Sequence, residues 1–196
     1  MRILDVGDNH RGLAKQMWPE AKEVVCLDAP GTGSEIEVDL ESPEFLDADL
    51  KGTYDIVFMS HVLEHLSYRV APDVLKKLAS CLHIGGVLFV KVPSLEYSTE
   101  QIILTGLNVP LLMQMFGSQE NQWQYHKSSY TLPYLRGIIE EYCHLAIQVS
   151  RKAWTKILFA DGVEVPFMEN VVAGIKVEDE RNRRESPAAV SSGEDH

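Results

Sequence analysis

Cysteine is scarce: 196 residues contain three, Cys26, Cys81 and Cys143, far apart and without a C-x-x-C pair. That argues against a disulfide framework and for reduced thiols in a cytoplasmic setting. Cys26 and Cys81 lie in apolar stretches and read as small buried hydrophobes. Basic residues are short too, 18 Lys and Arg against 29 Asp and Glu, a net charge of −11. A polyanion would meet repulsion instead of counterion release, so no nucleic-acid partner is expected. Lys76-Lys77 and the cluster from Arg181 to Arg184 are short and read as a solvated helix face and a tail. Long hydrophobic runs are missing. The longest, IILTGLNVPLLMQMF, is interrupted by Gly106, Asn108, Pro110 and Gln114, too short and too broken for a membrane span. The first residues already read as a strand, so no leader is expected. There is no internal repeat.

The composition that remains, 45% hydrophobic and 24% charged, is that of a globular protein. The length suits a single domain over residues 1–177. The tail 178–196 has no apolar pattern and is expected to be disordered. RILDV (2–6), EVVCLD (23–28), IEVDL (36–40), YDIVFMS (54–60) and VLFVKVPS (87–94) read as strands. They are rich in Val, Ile and Leu without polar alternation, which predicts a mostly parallel sheet covered on both faces. Helices are expected at 12–18, where Pro19 stops the run, and at 70–83, with Pro72 in the first turn and Gly85-Gly86 as the end. Residues 96–130 read as an irregular, aromatic- and Gln-rich lid, too long for an ordinary connection. A helix from Thr131 to Leu145 follows, then strands in AIQVS, TKILFADGVEV and ENVVAGIKV, with Asp161-Gly162 as a hairpin turn. The fold class is therefore α/β, a Rossmann-like sandwich closed by a C-terminal antiparallel hairpin.

In an open parallel sheet, ligands bind beyond the carboxyl ends of the strands. That rule selects Asp5, Gly7, Asp28, Asp39 and the pair Ser60-His61. Gly7 has no Cβ, so a ligand can approach the backbone, and the helix start behind it offers N–H groups to an anion. Asp28 follows about twenty residues later, the separation at which a carboxylate accepts both hydroxyls of a ribose. Asp39 suits an exocyclic amine.

The segments RILDVG, CLD, VDL, YDIVFMSHVLEHL and LHIGGVLFVKVPS, in this order and spacing, resemble a class I S-adenosylmethionine-dependent methyltransferase, over about residues 1–94. The stretch from YDIVFMSHVLEHL to IGGVLFVKVPS is most similar to small bacterial enzymes acting on small molecules, sugars or cell-surface precursors. The resemblance implies S-adenosyl-L-methionine as cofactor, with Asp5 and Gly7 flanking its methionine part and Asp28 on the ribose. It implies Asp39 and Leu40 at the adenine, and Ser60 and His61 beside the sulfonium. Two departures stand out. The family's first loop is G-x-G-x-G, whereas this one runs Gly7-Asp8-Asn9-His10-Arg11-Gly12. The helix that normally precedes the first strand is missing, which leaves part of the sheet for another subunit, as in a homodimer, to cover.

His61, Glu64 and His65 also spell H-x-x-E-H, the inverted zinc-protease motif. That reading needs a long helix and a further ligand, but the motif begins at a strand end and Ser67 to Pro72 interrupt any helix. The motif therefore reads as a pocket wall, and no metal is expected. In the lid, Trp123, Tyr125, His126, Lys127 and Tyr130 suit either a small-molecule or sugar-like acceptor or simple docking of a surface loop on the core. His126 is the first candidate for a general base and His61 the second. Methyl transfer to oxygen or nitrogen is the expected reaction. A catalytically inactive binding module is the alternative, and a dinucleotide-dependent oxidoreductase a third reading.

Overall fold

The structure, a computed structural model, describes residues 1–7, 12–49, 54–158 and 164–177. Five strands run parallel: β1 (Arg2–Val6), β2 (Glu23–Asp28), β3 (Ile36–Glu37), β4 (Tyr54–Ser60) and β5 (Leu82–Pro93). Two more, β6 (Leu145–Leu158) and β7 (Glu164–Lys176), close the sheet antiparallel. The seven stand in the order β3-β2-β1-β4-β5-β7-β6. The winding direction reverses between β1 and β4, so the carboxyl ends of those two strands flank the natural ligand crevice.

Alternation along the strands explains the two cores, because successive side chains face opposite ways. Leu4, Val6, Val57 and Met59 face α3 (Ala71–Ser80) and α6 (Leu132–Cys143), joining Leu75, Leu78, Leu135 and Ile139 in the larger apolar cluster. Ile3, Ile56 and Phe58 face the other way, toward Ala14 of α1 (Leu13–Met17) and Trp18. Trp18 meets Phe58 edge-on at 5.4 Å between ring centroids.

The expected α/β sandwich and its closing hairpin are therefore present, with four local corrections. The third strand is two residues long instead of five. After Glu37 the Val38 N–H bonds the Asp28 carbonyl, and a turn closed by Ser42 N–H on the Asp39 carbonyl takes the chain off the sheet edge. The helix expected over 70–83 ends at Ser80, because Leu82 already pairs with Tyr54. Gly85-Gly86 thus lie inside β5, next to a register irregularity, and do not end the helix. About half of the stretch 96–130 is helical. Ser94 caps α4 (Leu95–Thr105) through the Tyr97 N–H, and Asn108 caps α5 (Val109–Phe116) through the Leu111 N–H. Side-chain acceptors at these caps satisfy free helix N–H groups, which restarts a helix on each side of Gly106. The last correction concerns the closing hairpin, in which Arg151, Lys152 and Ala153 pair continuously with β7, so that one long strand replaces two short ones. A smaller difference is Cys26, only part-buried, while Cys81 and Cys143 are buried. The expected turn at Asp161-Gly162 and the tail 178–196 lie outside the described residues. Among the described residues no helix is long and apolar enough to cross a membrane.

Candidate active site

A cleft of about 250 Å³ opens at the carboxyl ends of β1, β2 and β4. Gly7, Asp28, Asp39, Leu40, Ser60 and His61 all line it, although they come from four separate stretches of chain. β2 ends at Asp28, whose carboxylate accepts its neighbour's Ala29 N–H at 2.7 Å. Asp39 holds the next turn through the Glu41 N–H at 2.9 Å. Gly7 takes φ of +75°, and a Cβ on it would come 2.1 Å from Val62 Cγ2. Both constraints demand glycine there. Among the described residues the Ser60 hydroxyl is buried without a hydrogen-bond partner in the cleft wall. An orphaned hydroxyl at a ligand crevice points to a partner beyond the described residues. Two strand-end carboxylates, a bare backbone at Gly7 and this hydroxyl fit an adenosine-bearing ligand.

The floor of the cleft is a charge cluster. His61 follows β4 in the left-handed conformation, at φ of 57°, its N–H held by the Lys91 carbonyl. For a residue other than glycine this backbone is strained, a condition that gathers at functional sites. Its Nε2 lies 2.7 Å from Glu169 Oε1 and its Nδ1 3.4 Å from Glu64 Oε1. Lys91 Nζ reaches the other Glu169 oxygen at 2.9 Å. Burial would push the His61 imidazole down, but the hydrogen bond to Glu169 and the two neighbouring carboxylates, Glu169 and Glu64, carry it up to about 9. Burial likewise would raise both carboxyls, and the His61 cation, with Lys91 for Glu169, brings each below its ordinary value. His61 is thus an imidazolium at neutral pH, compensated on both sides.

A loop arches over the cleft. Asn121, Gln122, Trp123 and Gln124 line its far wall, and Lys127 forms an ion pair with Glu41 across the mouth. Gly117, at φ of 78°, lets this loop turn back so that the Gln124 carbonyl packs where a Cβ would stand. The Lys127 and Ser128 N–H groups both donate to the Glu64 carbonyl, at 2.8 and 3.1 Å. That pair of hydrogen bonds to one carbonyl brings His126 beside His65, ring centroids 4.8 Å apart. Burial pushes the His126 imidazole below its ordinary value, so it is neutral near pH 7.

The tertiary structure therefore gathers Gly7, Asp28, Asp39, Leu40, Ser60 and His61 at one cleft and leaves two expected residues elsewhere. Asp5 is buried behind the wall, where its carboxylate accepts the Ala14 N–H at 3.1 Å and fixes the start of α1. His126 lies behind His65, which itself lines the cleft, in a small inner cavity with Glu64. His61, the second candidate base, has a carboxylate at each nitrogen and no nitrogen left to abstract a proton. Sequence reasoning missed Glu169, Lys91 and Glu41. A signal for the first existed: Glu169-Asn170 interrupts an apolar strand, and buried polar pairs in strands need a reason. Asn9 and Arg11 lie outside the described residues.

Parallel strands with a winding reversal, a strand-end acid near the crevice and an antiparallel closing hairpin define a Rossmann-like nucleotide-binding fold of the methyltransferase type. The family model described as "Methyltransferase domain" matches residues 1–142. Solved structures agree on the fold. An O-methyltransferase family protein from Burkholderia thailandensis is 14% identical, with a TM-score of 0.55 over 91% of this chain, which spans 52% of that longer protein. A SAM-dependent methyltransferase from Archaeoglobus fulgidus is 16% identical, at 0.55, over 88% of this chain and 85% of that one. A 1,6-didemethyltoxoflavin-N1-methyltransferase from Burkholderia thailandensis, solved with S-adenosylhomocysteine, is 14% identical, at 0.52, over 90% of this chain and 71% of that one. No curated protein sequence matches the chain. The chain belongs to the methyltransferase domain family, and solved SAM-dependent methyltransferases share its fold.

Proposed function

We propose that this chain methylates a hydroxyl oxygen of a small, polar, sugar-like molecule. The observation that carries the reading is the sharing of one cleft by Asp28 and Asp39 at one end and His65 at the other, under the arch of Asn121 to Gln124. Asp28 accepts the ribose hydroxyls and Asp39 the adenine amine, while Gly7 and Ser60 border the methionine part. The bound donor supplies a methyl group already activated on a sulfonium. What remains for the protein is to align the acceptor and exclude water, and the arched loop serves both tasks. Trp123 offers an apolar face to the acceptor, and the side-chain amides beside it offer hydrogen bonds to hydroxyls. His61, already protonated, holds the cleft floor. His65 lines the cleft with His126 packed against it, a polar edge for a hydroxyl acceptor to meet, which is the reason to favour oxygen over an amine that arrives unprotonated.

Calorimetry with S-adenosylhomocysteine on wild type and Asp28→Ala tests the donor end. A loss of at least about tenfold in the variant, or ~1.4 kcal/mol, is expected. Unchanged binding in the variant would overturn the Asp28 assignment. Release of S-adenosylhomocysteine measured against panels of hydroxyl and amine acceptors tests the other end. Turnover confined to amines would replace oxygen by nitrogen.

A further inference from the structure

Glu64 is 2% exposed, and among the described residues neither of its carboxylate oxygens has a hydrogen-bond partner. His61 stands at ion-pair distance, 3.4 Å, but outside hydrogen-bond alignment. That one ion pair leaves the carboxylate oxygens without an aligned donor, and buried carboxylate oxygens are normally hydrogen-bonded or bound to a metal. Beside it, the His65 and His126 rings meet edge to face. Each ring is fixed at the same atom. His65 Nδ1 donates to the Tyr125 carbonyl at 3.2 Å, and His126 Nδ1 donates to the Gln114 carbonyl at 3.0 Å. A carbonyl can only accept, so Nδ1 carries a proton in both rings and Nε2 is the nitrogen left to face an ion. Imidazoles that bind metals are oriented in this way, the nitrogen away from the ion donating to a backbone oxygen. One ligand atom from each of Glu64, His65 and His126 lies within 4.8 Å of the others.

We propose that Glu64, His65 and His126 form a binding site for a divalent first-row transition ion, held by one carboxylate oxygen and two imidazole Nε2 atoms. Two imidazoles and one carboxylate favour Zn²⁺, Co²⁺, Mn²⁺ or Fe²⁺ over ions that prefer oxygen alone. Three protein ligands leave a position open, as in reactive metal sites rather than structural ones. His65 lines the cleft, and Glu64 and His126 line the inner cavity behind it, so the ion belongs in the wall between the two. The two histidines of H-x-x-E-H do not bind it together. His61 is taken by Glu64 and Glu169, and the second imidazole comes from the arched loop instead. Such a site departs from the expectation that no metal is bound. A role for the ion in holding an acceptor oxygen rests on the function proposed above, whereas its binding does not.

The test uses the whole chain, stripped with a chelator and titrated with Zn²⁺, Co²⁺ and Mn²⁺. The expected result is one equivalent bound with a rise in Tm, since a ligand that binds only the folded state stabilises it. Co²⁺ should also show the visible absorption of a nitrogen- and oxygen-bound ion with an open position. Glu64→Gln and His126→Gln should each weaken binding at least about tenfold, in line with the loss of one ligand. His83→Gln, outside the site, should leave it intact. If the ligand variants fold poorly, the wild-type Tm rise and the cobalt spectrum decide alone. Absence of both, or binding that survives in Glu64→Gln and His126→Gln alike, overturns the site. S-adenosylhomocysteine calorimetry on the stripped protein separates the two proposals. Donor binding without metal binding sinks only the metal site, and metal binding without donor binding sinks only the methyl-transfer reading.

Discussion

His61 Nε2 donates to Glu169 Oε1 at 2.7 Å, joining residues 108 apart in the chain. One belongs to the end of β4, in the part that the methyltransferase family model matches, and the other to β7, beyond that part. The closing hairpin thus completes the sheet and also supplies the carboxylate that fixes the cleft-floor histidine. Lys91 of β5 binds the second oxygen of the same carboxylate, so three strands are tied at one point.

Glu169→Ala should therefore destabilise the protein by about 3 kcal/mol, the low end of the cost of stranding buried charges, because Lys91 and His61 both lose their anion. Urea unfolding measures it. A loss under about 1 kcal/mol, typical of an exposed ion pair, would show that this cluster is effectively solvated.

Gly7→Ala should lower stability by about 1–2 kcal/mol from its left-handed backbone, and further from the clash with Val62. Adding Val62→Ala should restore the second part and leave the first. A double-mutant cycle read by urea unfolding separates them.

Gly117→Ala drives a methyl group into the Gln124 carbonyl, which cannot yield without moving the loop that carries His126. Turnover should fall at least about tenfold, since a displacement of about 1 Å at positioning groups has that scale of effect. Donor binding at Asp28 should change little, and calorimetry beside the turnover assay checks the split.

Lys127→Ala opens the ion pair across the cleft mouth. The pair is partly exposed, so its worth is about 0.5 kcal/mol. Stopped-flow release of S-adenosylhomocysteine should accelerate by roughly twofold to threefold, and wild-type release should quicken with added salt.

At the opposite end of the sheet, His83 Nε2 donates to Asp55 Oδ1 at 2.7 Å. The bond to Asp55 raises His83 above its ordinary 6.5, and the bond to His83 lowers Asp55 below its ordinary 3.8. The histidine contribution is full below about pH 6.5 and is lost as pH rises through the raised value. The carboxylate contribution is present above about pH 3.8 and is lost as pH falls through the lowered value. Both side chains are about two-fifths exposed, so the amplitude stays below ~1 kcal/mol. The Tm difference between wild type and His83→Ala should be positive near pH 6 and shrink as pH rises through the raised value.

The legible parts were those set by local patterning. β1, β2 and β4 were read to the residue, because uninterrupted Val, Ile and Leu runs ending in Gly7, Asp28 and Ser60 leave no other element available. Parallel topology then fixed where their ends meet, which made the Asp28 and Asp39 side of the cleft readable. The two helices in 95–116 were obscured because Gly106, Asn108 and Pro110 look like breakers, whereas Asn108 and Pro110 begin a new helix.

The amino-acid order alone thus determined the fold class, the methyltransferase resemblance and the strand-end acids, since all three follow from period, punctuation and spacing along the chain. Only the tertiary structure decided that Glu169 reaches His61, that Asp5 turns to α1, and that His126 joins Glu64 and His65. Those pairings depend on β7 lying beside β5 and on a loop bonding back to the Glu64 carbonyl. Such contacts between distant segments leave no periodic trace in a single chain.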